Sequence, residues 1–137
     1  MAVFSPVNMM MDSLKAKIAG SSFSTTISNR VAVDRLEADV ALPCCVYSMK
    51  QFDINRFMGN QEKYDGLVEF TIFDTAKTGT AGLHTLSGLL EAAMTTGTFT
   101  ISNMDRLVVT RVSGGAPSFQ DDSWSIIERY RMSSFKL

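Results

Sequence analysis

The chain has 137 residues, 13 Lys and Arg against 14 Asp and Glu, a formal net charge of −1 and 45% hydrophobic content. These values predict a single folded domain over residues 1–137, and they exclude a disordered chain and a surface that grips nucleic acid everywhere, which needs a clear basic excess. One His and two Cys stand beside nine Met and nine Phe, so residues that pack abound where residues that do chemistry are scarce.

The first six residues, Met1-Ala2-Val3-Phe4-Ser5-Pro6, lack a basic leader, and Asp12, Lys15 and Lys17 interrupt the apolar stretch behind them. The start does not read as a signal peptide, and folding in a cytoplasm is expected. No uncharged apolar run approaches the roughly 20 residues that cross a bilayer, so no membrane partner is expected. A helix is predicted over residues 5–19. Ser5 caps it, Pro6 suits its first position, Gly20 follows its end, and Val7, Met10, Met11, Leu14 and Ile18 recur at helical spacing. Met9, Met10 and Met11 exceed what one stripe needs. Because Met side chains repack easily, Met9 and Met11 are candidates for contact with a neighbour.

Residues 21–29 are Ser/Thr-rich and read as a loop. A strand is expected over residues 44–49, entered through Pro43, and Cys44 and Cys45 read as two small buried hydrophobes within it. Neighbouring strand residues point to opposite faces, so the two thiols do not share a metal. Residues 52–66 follow as an extended excursion with a turn at Gly59-Asn60. Phe52, Ile54, Phe57 and Met58 are too apolar for a free loop, which makes them candidates for a subunit interface.

The clearest strand covers residues 67–73, with Val68, Phe70 and Ile72 on one face. A second helix runs to about Thr95, presenting Leu83, Leu86, Leu90, Ala93 and Met94, with Gly97 to end it. Strands over residues 107–112 and 124–132 close the chain, with the glycine-rich stretch around Gly114 read as a hairpin turn between them. In the last strand Trp124, Ile126, Tyr130 and Met132 share a face with Glu128, while Ile127, Arg129 and Arg131 point the other way. The fold class is α+β: a mainly antiparallel sheet packed against two helices, in the order α-β-β-α-β-β.

Catalytic signals are weak. His84, the only imidazole, lies on the second helix without a framed nucleophile, and one His with adjacent Cys residues cannot supply a tetrahedral zinc set. The carboxylate pairs Asp121/Asp122, Glu37/Asp39 and Glu62/Asp65 read as solvated loop residues, and the Gly114 region lacks the Lys-Ser/Thr of a phosphate loop. No enzyme activity and no cofactor are expected.

Several segments in order resemble the tail-terminator, or tail-completion, proteins of long-tailed bacteriophages. They are the helix over residues 7–19; the Leu42-Pro43-Cys44-Cys45-Val46-Tyr47 strand; the central strand over residues 67–74; the helix over residues 83–94; and the closing Ser123-Trp124-Ser125-Ile126-Ile127-Glu128-Arg129-Tyr130-Arg131-Met132 strand after an acidic turn. The resemblance covers most of the chain through short motifs. It implies a virion neck protein that assembles as a ring, typically sixfold, with copies of itself. Such a ring caps the tail tube protein, meets the head-completion or portal-side connector, and leaves a channel through which DNA passes without specific binding. Acidic residues at Asp53, Glu62 and Asp65, or at Asp121 and Asp122, would then line the channel and repel phosphate. A head-completion or adaptor protein of the same neck is the competing reading, and a small ligand-binding or hydrolytic α+β domain is the rival from another class.

Overall fold

The computed structural model describes residues 5–36, 40–56, 61–75, 79–95 and 107–135. Helix α1 (Pro6–Ala19) begins where Ser5, in extended backbone, accepts from the Asn8 amide, and it carries Pro6 in its first turn. Its buried residues are Met10, Ser13, Leu14 and Ile18, so the predicted stripe holds. Residues 21–29, expected as a loop, instead contain a second helix, α2 (Ser22–Thr26). The Ser21 hydroxyl caps it, and the Thr25 and Thr26 hydroxyls donate to the carbonyls four residues back. Hydroxyl-rich sequence leaves the turn to tertiary context. Here the context is Phe23 and Ile27, both fully buried.

Strand β1 (Val31–Val33) falls in the charged segment where no element was predicted, and it pairs in parallel with Cys45, Val46 and Tyr47. It is three residues long and borrows its order from β2, which local sequence cannot reveal. Strand β2 (Cys44–Arg56), entered through a cis Leu42–Pro43 bond, and strand β3 (Glu62–Thr75) form a long antiparallel ladder. The excursion expected over residues 52–66 is therefore mostly sheet. The predicted turn at Gly59-Asn60 lies outside the described residues, as does Gly97.

Helix α3 (Gly79–Thr95) buries Leu83, Leu86, Leu90 and Met94, with Ala93 half-buried. Strand β4 (Val108–Gly114) and strand β5 (Ser118–Gln120) both pair antiparallel with strand β6 (Ser123–Phe135), lying end to end along it. The Gly114 stretch therefore continues along one edge of β6 and is not the hairpin turn expected there. Gly115 comes within reach of that strand: its amide donates to the Ile127 carbonyl at 2.7 Å, and a Cβ on it would stand 2.9 Å from the same oxygen. The tight turn is Asp121-Asp122, with φ of 53° and 60°. Two positive φ values in a two-residue β5–β6 loop give the primed turn that suits sheet twist, and Asp tolerates it.

The sheet order is β1-β2-β3-β6-β4, with β5 also on β6. The expected α-β-β-α-β-β order is thus corrected to α-α-β-β-β-α-β-β-β, and the sheet is mixed because β1 runs parallel. One face packs against the helices. Phe70 sits at its centre, stacked on Tyr47 at 5.2 Å and edge-on to Tyr130 at 5.7 Å between ring centroids. Buried aromatics so placed contribute beyond their area, by about 0.5–1.5 kcal/mol per pair.

Candidate subunit-contact surfaces and the acidic residues

A β-bulge decides which side chains of the β2–β3 hairpin face the core. Met49 pairs with Val68 and Gln51 with Leu67, leaving Lys50 without a partner. The extra residue reverses the alternation. Cys45, Tyr47 and Met49 point to the helices before it, Phe52 and Ile54 after it. Phe52 is half-buried and stacks on Tyr64 at 6.0 Å. Ile54 lies on the same side, is 49% exposed, and pairs with Tyr64. Met9 and Met11 are half-buried against the core. Phe57 and Met58 lie outside the described residues. Among the described interface candidates, then, Ile54 offers open apolar surface, while Phe52, Met9 and Met11 are half-buried against the subunit's own core.

The described methionines pack against the core in the same way. Gly66 leaves a gap in the sheet that Met49 fills: a Cβ on Gly66 would stand 2.7 Å from the Met49 sulfur and 3.7 Å from that of Met10. Met10, Met94 and Met132 are fully buried. Among the described residues the exposed large apolar side chains are Val33, Ile54, Val108, Val112, Phe119 and Phe135. Most of them sit on outer strands or at strand ends, and sequence reading passed over all but Ile54.

The acidic candidates divide into three places. Asp53 and Asp65 are register partners on the helix-free face, where they border a shallow cavity of about 290 Å³ with Gln51, Lys63 and Arg131. Asp65 accepts from Ser133 and, at 3.1 Å, from Asn55, with Lys63 at 3.8 Å; Asp53 accepts from Gln51 at 3.0 Å. Glu62 sits in β3, not in a loop, and points to the other face. There it accepts from the Tyr64 hydroxyl at 2.8 Å and pairs with Arg56 at 3.6 Å. Asp121 and Asp122 are exposed at the β5–β6 turn, beyond the far end of β6. The 13 residues of that strand span roughly 40 Å. Glu37 and Asp39 lie outside the described residues.

Sequence reading missed a buried charged cluster. Glu128 is 1% exposed and lies on the core face of β6. It accepts from Ser87 of α3 at 2.5 Å and from both Nε and a terminal nitrogen of Arg111 of β4, at 3.2 and 2.7 Å. Arg111 also reaches Glu91 at 3.0 Å. The hydrogen bond to Glu128 holds the Arg111 pKa above its usual value. A glutamate in the stripe Trp124, Ile126, Tyr130, Met132 was the available signal, because a buried carboxylate demands a partner. On the opposite face, Arg129 of β6 meets Glu69 of β3 at 3.1 Å, directly across the ladder.

Burial shapes the remaining titratable groups. The Tyr47 and Tyr64 hydroxyls are both pushed up to about 12, mainly by desolvation; Tyr64 is helped by its bond to Glu62. The Tyr130 hydroxyl is raised as well. Burial raises both free thiols, Cys45 far more than Cys44, which has Arg30 beside it. His84 is exposed on α3. Among the described residues, no three His, Cys, Asp or Glu side chains converge to hold a metal ion, and no helix is long and apolar enough to cross a membrane.

No protein-family model matches the chain, and no curated protein sequence does either. Solved structures do. The fold is similar to that of a chain in the virion of a native gene transfer agent particle, with a TM-score of 0.69 at 12% identity, covering 96% of this chain and 98% of that one. A second structure, which carries no functional description, gives a TM-score of 0.66 at 15% identity over 90% of this chain and 94% of its own. At these identities the likeness is one of fold, and it extends over nearly the whole of each chain.

Proposed function

We propose that this chain is a structural protein of a phage-like virion, and that it is the tail terminator: a ring at the neck that ends the tail tube, meets the head-side connector and lets DNA through. The observation that carries this reading is the end-to-end fold likeness to a chain of a gene transfer agent virion. The resemblance of the motifs in order supports the narrower assignment. No catalytic role is proposed: the buried Glu128 is tied into packing by Ser87 of α3 and Arg111 of β4.

In this reading the exposed Ile54 meets the next subunit. Of the acidic residues, Asp53 on the helix-free face and Asp121 and Asp122 at an exposed turn suit a channel wall best, because Glu62 and Asp65 have Arg56 and Lys63 beside them. Copy number and position in an intact particle test the assignment. A single ring between tube and connector supports it. Copies repeated along the tube, or confined to the head, sink the terminator reading, and absence from purified particles sinks the virion reading altogether.

A further inference from the structure

Two strand edges of this sheet are open among the described residues, and they match. The register aligns four strands in level rows: Val108 with Ser133, Asp65 and Asp53; Thr110 with Arg131, Leu67 and Gln51; Gly114 with Glu128, Phe70 and Tyr47. The edge of β4 therefore lies at the same height as β2 from Tyr47 to Asp53, of which Ser48 to Asp53 is left free by β1. Successive antiparallel pairings make β2 and β6 run one way, β3 and β4 the other. Side by side with a second copy in the same orientation, β4 of one meets β2 of the next antiparallel, the more favourable pairing.

Strand β1 leaves room for this. It covers β2 only at Cys45, Val46 and Tyr47, and then turns away at Asp34, whose φ is 66° and whose amide donates to the Tyr47 carbonyl at 2.8 Å. The incoming strand would begin where β1 stops. Strand β4 also lacks the usual guards of an exposed edge. It carries no Lys or Pro, its one Arg is turned inward to Glu128, and Val108 and Val112 are 46% and 48% exposed. Its single protective irregularity is the bulge between Arg111 and Ser113.

We propose that β4 of one copy adds to the β2 edge of the next, so that copies share a continuous sheet. The contact is heterologous, and because the two edges are level it carries no climb from copy to copy, which favours a closed ring over an open helix. This deepens the ring reading and rests on it.

The test is a disulfide between neighbours. Within one chain Gln51 and Thr110 are three strand spacings apart, about 14 Å, too far for a bond. The Q51C/T110C chain, and as a second register pair D53C/V108C, is purified reduced, concentrated and oxidised. Molar mass comes from light scattering and covalent species from non-reducing gels. The expected result is a ladder of linked chains that needs both cysteines, with the single variants stopping at dimers. Rings by light scattering with no such ladder from either pair overturn the edge contact and leave the ring reading standing. A chain that gives neither rings nor a ladder overturns the edge contact too, and the position of the protein in particles then decides the reading separately. Unfolding curves matched to the parent chain show that the variants fold.

Discussion

Removal of the Arg111 guanidinium isolates a buried charge. In Arg111→Met the Glu128 carboxylate, 1% exposed, keeps only the Ser87 hydroxyl. Breaking one partner of a buried pair costs about 3–5 kcal/mol. The Arg111 side chain is itself 36% exposed, so water enters when it is cut back, and the lower end, about 3 kcal/mol, is expected. In urea, with a slope of about 1.5 kcal/mol per molar, this moves the midpoint down by about 2 M at unchanged slope. Glu128→Gln keeps the shape and both neighbours but turns charge-assisted bonds into neutral ones, for a loss of about 1–2 kcal/mol. The decisive chain is Arg111→Met with Glu128→Leu, in which no charge is left buried. It should recover at least about 2 kcal/mol of the single-variant loss, since apolar replacement of a whole buried pair is often neutral. A loss below about 1 kcal/mol for Arg111→Met, or no recovery in the double variant, would refute the claim that the carboxylate is desolvated and held by this cation.

Three further outcomes follow from the same packing. Gly66→Ala drives a Cβ into the Met49 sulfur, and a net loss of about 1 kcal/mol is expected from overpacking after the small backbone gain; adding Met49→Ala should make the second substitution cheaper than it is alone, as read by thermal unfolding. The Tyr47 and Tyr64 hydroxyls stand at about 12 when folded against about 10 when unfolded. Above pH 10 the unfolded chain gives up protons the folded one keeps, so stability is intact below pH 10 and falls between pH 10 and 12, by up to about 1.4 kcal/mol per pH unit for each. Phenolate absorbance rising near pH 10 while circular dichroism still reports a folded chain would contradict this. Cys44 and Cys45 are buried, with raised pKa values, and should resist a thiol reagent until denaturant is added; prompt modification of either in the native protein counts against the placement of β2.

The parts of the fold that sequence revealed are those whose reasons are local. Ser5, Pro6 and the stripe Met10, Leu14, Ile18 define α1 within one segment, and Val68, Phe70 and Ile72 alternate without interruption. The missed parts depend on partners elsewhere. Strand β2 looked short because the bulge at Lys50 shifts the phase, so that Tyr47 and Phe52, five residues apart, share a face and the alternation breaks between them. Strand β1 is ordered by its pairing with Cys45 to Tyr47, and α2 by the burial of Phe23 and Ile27. The candidate surfaces were legible in part. Ile54 is open as its apolar character in a polar stretch implied, but the sequence does not say that β3 lies next to β6, and only that adjacency puts β4 at an edge.

The strand order also bears on what a ring of this chain would be like inside. Four level strands spaced about 4.8 Å apart give each copy about 19 Å of arc. Six copies joined edge to edge would make a wall about 115 Å around, hence about 37 Å across between backbones, and wider if the strands tilt. Inward side chains then leave a lumen of roughly 25 Å, enough for a duplex to pass without being gripped. Two cations of the helix-free face are matched in place, Arg129 by Glu69 across the ladder and Lys63 by Asp65, while Arg131 stands beside the cavity that Asp53 and Asp65 border. Neutralised in pairs, these two would release few counterions from a passing phosphate backbone, and weak, salt-insensitive contact is what free sliding requires. The helical face cannot take the same place, since its packing elements, α1 and α3, would have to stand in the lumen and narrow it by the diameter of a helix on each side, about 10 Å. In such a ring, geometry would put the helix-free face on the lumen.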